Sequence, residues 1–443
     1  MYISEQFGNF GAGFHSAAPD ADVIHHTKRA VVDWYAALLA GCGVAPSPLL
    51  EKAFAEDLDR GAARLALGRQ ATVRAAALIN GTAAHAAEVD DIFKEAIYHP
   101  GAPTIAAALA MAQQENASGL EFLKAVIVGY EISTRIGKVL GREHYQYWHN
   151  TGTVGSFGAA AAAAYLLRLD AVQFTHALCT AATFAAGLQQ AFKMDSMSKP
   201  LHSGRAAEAG VAAAQMAQQG VTGSLNIFEG SHGLGVAMSN GPEWDAVMAD
   251  LGQKFNITAM TFKNHACCGH TFAPIDGALV IQKRERIDWR DIERITVQTY
   301  SPALAVAGNP APRTAAEARF SIPFVVATAL RHGSVRLAAF AQERLEDEAL
   351  RSLMARVELA VHPELDAQFP GQRAALVTIR TRDGQDHSFL QPTRKGDPDL
   401  ALTDADLQEK FEELAVPVIG QARAAAISSL LWSLDAQGTL QEI

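Results

Sequence analysis

The chain is poor in cysteine, in aromatic residues and in positive charge, and each shortage closes off a class of protein. Only four cysteines occur among 443 residues, namely Cys42, Cys179, Cys267 and Cys268. None forms a CxxC pair, so no zinc ribbon or usual iron–sulfur run is visible. Adjacent Cys267 and Cys268 cannot form an ordinary bridge with each other, and the thiols are expected to be reduced, in a cytoplasmic protein. Lys and Arg total 37 against 47 Asp and Glu, a net charge of −10, and no basic run stands out. Nucleic-acid binding, which needs a basic face to neutralise phosphates, is not expected. Met1 to Asp22 lacks a basic stretch followed by an apolar core, so no signal peptide is expected. The apolar run 158–167 is too short and too alanine-rich for a membrane span. The segment Glu229-Gly-Ser-His-Gly-Leu-Gly235 is glycine-rich but is not GxGxxG and follows no strand. It is expected to be a flexible loop, not a dinucleotide site.

What is present is alanine and helical periodicity. Hydrophobic residues make up 49% and charged residues 19%, a globular composition of a length that suggests two or three domains. Alanine carries no side-chain entropy cost and lets helices approach closely. Apolar residues recur at helical spacing over 23–40, 71–89, 104–115, 120–140, 153–167, 171–189 and 204–219. Ser203 is a plausible N-cap for the last of these. The pattern then changes. Alternating runs occur at 294–300, 357–361, 377–379 and 387–391, and Asp383-Gly384 between the last two predicts a hairpin. A helix is expected over 315–330, stopping at Gly333. Helix returns over 403–434. The fold class expected is mainly α, with a large all-helical domain and a smaller α+β domain.

Four clusters carry possible chemistry. In the first, His85 is followed by Glu88, Asp90 and Asp91, then by His99-Pro100. Asp90 and Asp91 stand about a hundred degrees apart on a helix, so at most one can enter a shared site. The plainer reading is a solvated acidic helix end with a loop histidine. In the second, Tyr145, Trp148 and His149 precede a Gly/Thr-rich helix start with Thr151 or Thr153 as cap, where free N–H groups suit a carboxylate. Here the alternative is aromatic packing beneath an alanine-rich helix. The third places Lys199 and His202 just before a helix N-terminus, an anion site with a lysine able to act as base. An exposed loop lysine is the alternative. The fourth is Lys263-Asn-His265-Ala-Cys267-Cys268-Gly-His270. Its spacing does not match zinc patterns, and a reactive thiolate beside Lys or His suits it better than a metal.

Taken in order, these blocks resemble the MmgE/PrpD family along nearly the whole chain. The stretches that carry the resemblance are NGTAAHAAEVDD, HPGAPTIAAALAMAQ, WHNTGTVGSFGAAAAAAYLL, SKPLHSGRAAEAGV, the 263–269 segment, ARFSIPFVVATAL and RKGDPDLALTDADLQEKF. The family includes 2-methylcitrate dehydratase, cis-aconitate decarboxylase and iminodisuccinate epimerase. The resemblance implies an all-helical domain built from residues 1–261 and 396–443, an α+β lid over 262–395, an active site between the domains, and a homodimer. It implies a metal-independent, cofactor-free lyase of dehydratase type acting on a small di- or tricarboxylate. Epimerase, decarboxylase and non-catalytic carboxylate binder are the alternatives. By the same resemblance, Lys199, Cys268, His149, His99 and Asp90 are catalytic, and His202, Lys263, Tyr145 and Glu88 bind substrate. Glu88, Val89 and Ile92 depart from the Asp, Phe and Thr usual in the family. Cys268 stands where the decarboxylase has histidine, and resembles the epimerase there.

Overall fold

A computed structural model describes residues 1–194, 196–369 and 371–443. They form two compact units, Met1–Phe262 with Thr403–Ile443, and Lys263–Leu402. The fold is mainly α, as the periodicity predicts. Among the described residues, no single helix is long and apolar enough to cross a membrane.

In the first unit, the helix Gly155–Leu166 is buried along its whole length. Its composition, GSFGAAAAAAYL, explains how neighbours reach it. A Cβ on Gly210, in the helix Ser198–Gln218, would lie 2.4 Å from the Ala160 amide nitrogen. The same helix meets Val73–Ala86 at Gly204, where a Cβ would stand 2.0 Å from the Thr82 hydroxyl and 2.2 Å from the Leu78 carbonyl. Small residues thus set the interhelical distance, because any larger side chain fills the space the opposite backbone occupies. The tail returns as Asp404–Ile419 and Gln421–Trp432, packing on Ala21–Cys42. Arg29 pairs with Asp404 across that contact.

The details differ from the sequence expectations where local signals are weak. The Ser198–Gln218 helix begins six residues earlier than expected, so Ser203 lies inside it and is not a cap. Lys199 and His202 therefore sit one turn apart on the helix, not ahead of it. The helix expected over 71–89 ends at Ala86, and Glu88 takes a left-handed conformation (φ 61°). Asp90 and Asp91 lie beyond it. His149, not Thr151 or Thr153, occupies the N-cap of the short Asn150–Thr153 helix, and it makes no side-chain cap bond. The helix from Gly119 runs past Gly141 to Tyr147 through a kink (φ 66°). The helix after Asp170 stops at Phe184. The Glu229–Gly235 stretch is a turn with its own bonds, Gly230 N to Asn226 O at 2.8 Å among them, leading into a helix at Leu234. Elements outside the expected ranges include the helix Ile3–Gly13 and a small antiparallel sheet, Leu58–Arg64 with Gln70–Ala71. The first unit is thus not purely helical.

The second unit holds a four-stranded sheet in the order Val357–Val361, Ile292–Thr299, Ala375–Thr381, Asp386–Gln391. The first pair is parallel and the others antiparallel. Ala375–Thr381 alternates buried and half-buried residues, and the turn to the next strand uses Gly384 at φ 86°. The helix expected over 315–330 is broken in two, because Ser321 caps a new start by accepting from Phe324 N. The second piece ends at Gly333 with φ 80°. Phe272–Glu285 packs on the Ala375–Thr381 and Asp386–Gln391 strands.

Gly204→Ala tests the close crossing. The added methyl should lower the unfolding free energy by about 1–3 kcal/mol. A denaturant midpoint equal to that of the parent would contradict the contact distances.

Candidate active site

Asp90 is the centre of the first unit's polar cluster. Only 1% of its side chain is exposed, and both His85 and His99 turn Nδ1 to its Oδ2, at 2.7 and 3.3 Å. Burial alone would raise its pKa, but the two imidazoles outweigh that and hold the carboxyl well below its ordinary range. An ionised carboxylate only accepts hydrogen bonds, so His85 Nδ1 is the donor in the 2.7 Å contact. The backbone delivers Asp90 by stopping the helix at Ala86 and turning through Glu88. His99 precedes Pro100, and its own N–H reaches the Thr151 hydroxyl at 3.3 Å.

His149 stacks on His85, with ring centroids 5.5 Å apart, and its Nδ1 lies 3.1 Å from Nδ1 of His202. Burial, then the nearness of His85, Lys199, His202 and His99, pushes its pKa well below the usual imidazole value. Burial first, then His85 and Lys199, pushes His202 down to about 4. Both rings are therefore neutral at pH 7. Two facing nitrogens can share only one proton, so the rings take opposite tautomers. One presents Nε2–H as a donor and the other presents a bare Nε2 as an acceptor. Glycines make room: a Cβ on Gly152 would be 3.0 Å from His202 Cβ, and one on Gly187 3.2 Å from its ring.

Lys199, one turn before His202, pairs with Glu88 and lies 5.5 Å above the Phe192 ring. Phe192 also packs edge-on against His149, at 4.9 Å. The first unit thus gathers Asp90, His99, His149, His202, Lys199 and Glu88. It also recruits His85, which the sequence reading did not single out. The signal was there in the order His85, turn, Asp90, but only a helix ending at Ala86 brings the two together. Tyr145 is half-buried on the last turn of its helix. Its neighbour His144 contacts the next segment at Thr153 Oγ1 (2.7 Å).

Asp91 faces the other way. It accepts from Tyr130 Oη at 2.8 Å and from Gly101 N at 3.0 Å. Burial, helped by Asp33, pushes its pKa up to about 8.

In the second unit the His/Cys segment does not assemble a common donor set. His265 bonds Asp276 at 2.9 Å, Cys267 meets Thr271 at 3.0 Å, and His270 meets Tyr300 at 2.8 Å. Burial pushes the Cys267 thiol up to about 12. Cys268 is half-buried, its N–H bonded to the Arg319 carbonyl at 2.9 Å, and Lys263 is buried. Among the described residues the set with metal-ligand proximity is instead His85, Asp90 and His99, whose ligand atoms lie within 4.8 Å of one another.

Residues 5–247 match the family model of the MmgE/PrpD N-terminal domain, and residues 265–436 that of the MmgE/PrpD C-terminal domain. Among similar proteins, the cis-aconitate decarboxylase-like protein oryM of Aspergillus oryzae is 29% identical over 96% of this chain and 92% of its own length. The cis-aconitate decarboxylase of Aspergillus terreus is 26% identical over 94% of this chain and 89% of its own. The human cis-aconitate decarboxylase is 26% identical, over 81% and 76%.

The raised pKa of Asp91 has a measurable sign. Between the ordinary carboxylate value and about 8, the folded chain keeps a proton that the unfolded chain has lost. Its contribution to stability is therefore present at low pH and is lost as pH rises through that window. Asp91→Asn keeps an acceptor for Gly101 and offers an N–H to Tyr130, without titrating. Its melting temperature relative to the parent should climb from pH 5 to pH 8. A difference independent of pH would show that Asp91 is already ionised in the fold.

Proposed function

The chain belongs to the MmgE/PrpD family, and from that premise we propose that it is a metal-independent lyase acting on a small di- or tricarboxylate. The observation that supports this most is the neutral His149–His202 pair beside Lys199 and the two imidazoles gathered at Asp90. Reaction next to a carboxylate places negative charge on that carboxylate in the transition state. Donors fixed in a desolvated place stabilise such charge without reorganising. The Lys199 cation, with His149 and His99, takes the substrate carboxylate. Glu88 holds Lys199 meanwhile, and the incoming carboxylate replaces it. Lys199 or Cys268 moves the carbon-bound proton, and an Nε2–H of the histidine pair serves as acid.

Dehydration is the lead chemistry: a carbon-bound proton and a hydroxyl leave as water, and an alkene forms. The names of the relatives favour decarboxylation, in which carbon dioxide leaves and a proton enters at carbon. Epimerisation is the second reading, favoured by the thiol at Cys268. The working form is taken to be a homodimer, as the family resemblance implies, and cytoplasmic, as the cysteine usage suggests.

Incubation with cis-aconitate, citrate and 2-methylcitrate in deuterated water separates these outcomes. Alkene absorbance marks a dehydratase, carbon dioxide release a decarboxylase, and deuterium uptake without either an epimerase. Binding without any of them would defeat the catalytic reading. Turnover should persist after chelator treatment, and loss restored by added zinc would refute metal independence. His149→Ala and Lys199→Ala should each lower kcat by roughly 10²–10⁴-fold with the melting curve intact. Near-parental activity in either variant would remove that residue from the reaction.

A further inference from the structure

The second unit concentrates permanent positive charge around the segment Cys268-Gly269-His270, and the chemistry proposed above uses none of it. Arg394 is 2% exposed and clamps Asp397 through Nε (3.0 Å) and Nη2 (2.7 Å). Its remaining nitrogen, Nη1, lies against Gly269, 2.7 Å from where a Cβ would stand. Only glycine lets the guanidinium come so close. Arg373 lies close to the same group. Its guanidinium carbon is 5.9 Å from the Phe369 ring, Phe369 stacks on Tyr300 at 4.6 Å, and Tyr300 Oη meets His270 Nδ1 at 2.8 Å. Arg373 Nε is buried without a hydrogen-bond partner among the described residues.

The charges around Arg373 leave an excess. Arg394 repels it, while Asp397 and the Cys268 sulfur lie near enough to act on both Arg373 and Tyr300. Asp397 is already engaged by Arg394 on both oxygens. His270 adds no compensating charge, since burial and the two arginines push it down to about 4. Tyr300 remains a neutral phenol, because burial pushes it up to about 12. Two guanidiniums and one carboxylate, largely out of water, are stabilised by one further anion. Planar N–H edges suit a carboxylate best.

We propose that Arg373, with Arg394 and Tyr300, forms a carboxylate-binding site beside the Cys268 sulfur. The site belongs to the second unit and needs only a bound carboxylate, so it does not rest on the lyase reading. A carboxylate held there covers the thiol.

The test is alkylation of the full-length protein by neutral iodoacetamide, with each cysteine followed by peptide mass spectrometry, with and without citrate. Citrate should slow alkylation of Cys268 several-fold and leave Cys42 unchanged. Arg373→Gln should abolish that protection. If Arg373→Gln does not fold, the unaltered protein still decides. Anionic iodoacetate should then be favoured over iodoacetamide at Cys268, relative to the same ratio at Cys42. Lys199→Ala separates this site from the first unit's cluster. Protection that survives Lys199→Ala and disappears in Arg373→Gln supports the proposal, whether or not the protein turns over any substrate. Protection that disappears in Lys199→Ala and survives in Arg373→Gln overturns it, as does an iodoacetate ratio at Cys268 no higher than at Cys42.

Discussion

A charged carboxylate with almost no exposure to water persists only if donors replace its hydration, and in this protein the Asp90 carboxylate imposes that demand on its surroundings. The loop that carries it is fixed at three consecutive residues, each tied to a different element. The Val89 carbonyl accepts from Lys410 Nζ at 2.7 Å. Asp90 takes the two imidazoles, and Asp91 anchors to Tyr130 and to the first turn of the Gly101–Gln114 helix. Lys410 also pairs with buried Asp33. The tail of the chain therefore helps hold the loop that carries the site's carboxylate. Glu88, left-handed at φ 61°, is the turn that makes this possible. A non-glycine residue in that region costs about 1–3 kcal/mol and persists where its surroundings over-determine it.

The histidines gain their chemistry from packing. An exposed imidazole pair would share protons with water and average over tautomers. Here burial keeps His149 and His202 neutral, and their 3.1 Å contact forces unlike tautomers. One pair of identical side chains thus supplies both a donor and an acceptor. The alanine and glycine positions permit this density, since Gly152, Gly187 and Gly204 each sit where a side chain would displace His202 or its helix.

Periodicity shows where helices run, but their ends depend on signals this chain largely lacks. The Ser198–Gln218 helix starts from Met197 with no side-chain cap, so nothing in the composition distinguishes Ser198 from Ser203 as its start. The polar blocks containing Asp90, His99, His149 and Lys199 were legible because polar residues interrupt alanine-rich helix. His85 was not, because one histidine inside an apolar helix resembles an ordinary core residue until the chain turns back five residues later. The hairpin at Gly384 was legible from local turn chemistry. Arg373 and Arg394 were not, since they stand more than a hundred residues from Cys268, and the block that Arg394 opens carries no local sign of a site. Arg373 lies just before one sheet strand and Arg394 just after the next, and the sheet, not the sequence spacing, brings them near Gly269.

The net charge of −10 sets the remaining constraint. A small polycarboxylate approaching an acidic surface is repelled, although salt confines that repulsion to about 8–10 Å. Local attraction must then be strong, and exposed lysines do not supply it. Two unit charges at 4 Å attract by about 1 kcal/mol in bulk water and about 4 kcal/mol at the effective dielectric near a protein surface. Desolvated cations and dipoles therefore give more per group than a basic surface would. Both units follow that logic with different means. The first buries neutral imidazoles beside one lysine that an internal carboxylate already holds, so an incoming ligand exchanges one ion pair for another. The second buries guanidiniums, which cannot shed their charge, around a single engaged carboxylate. A chain that is acidic overall can in this way select carboxylates by the geometry of a few buried donors.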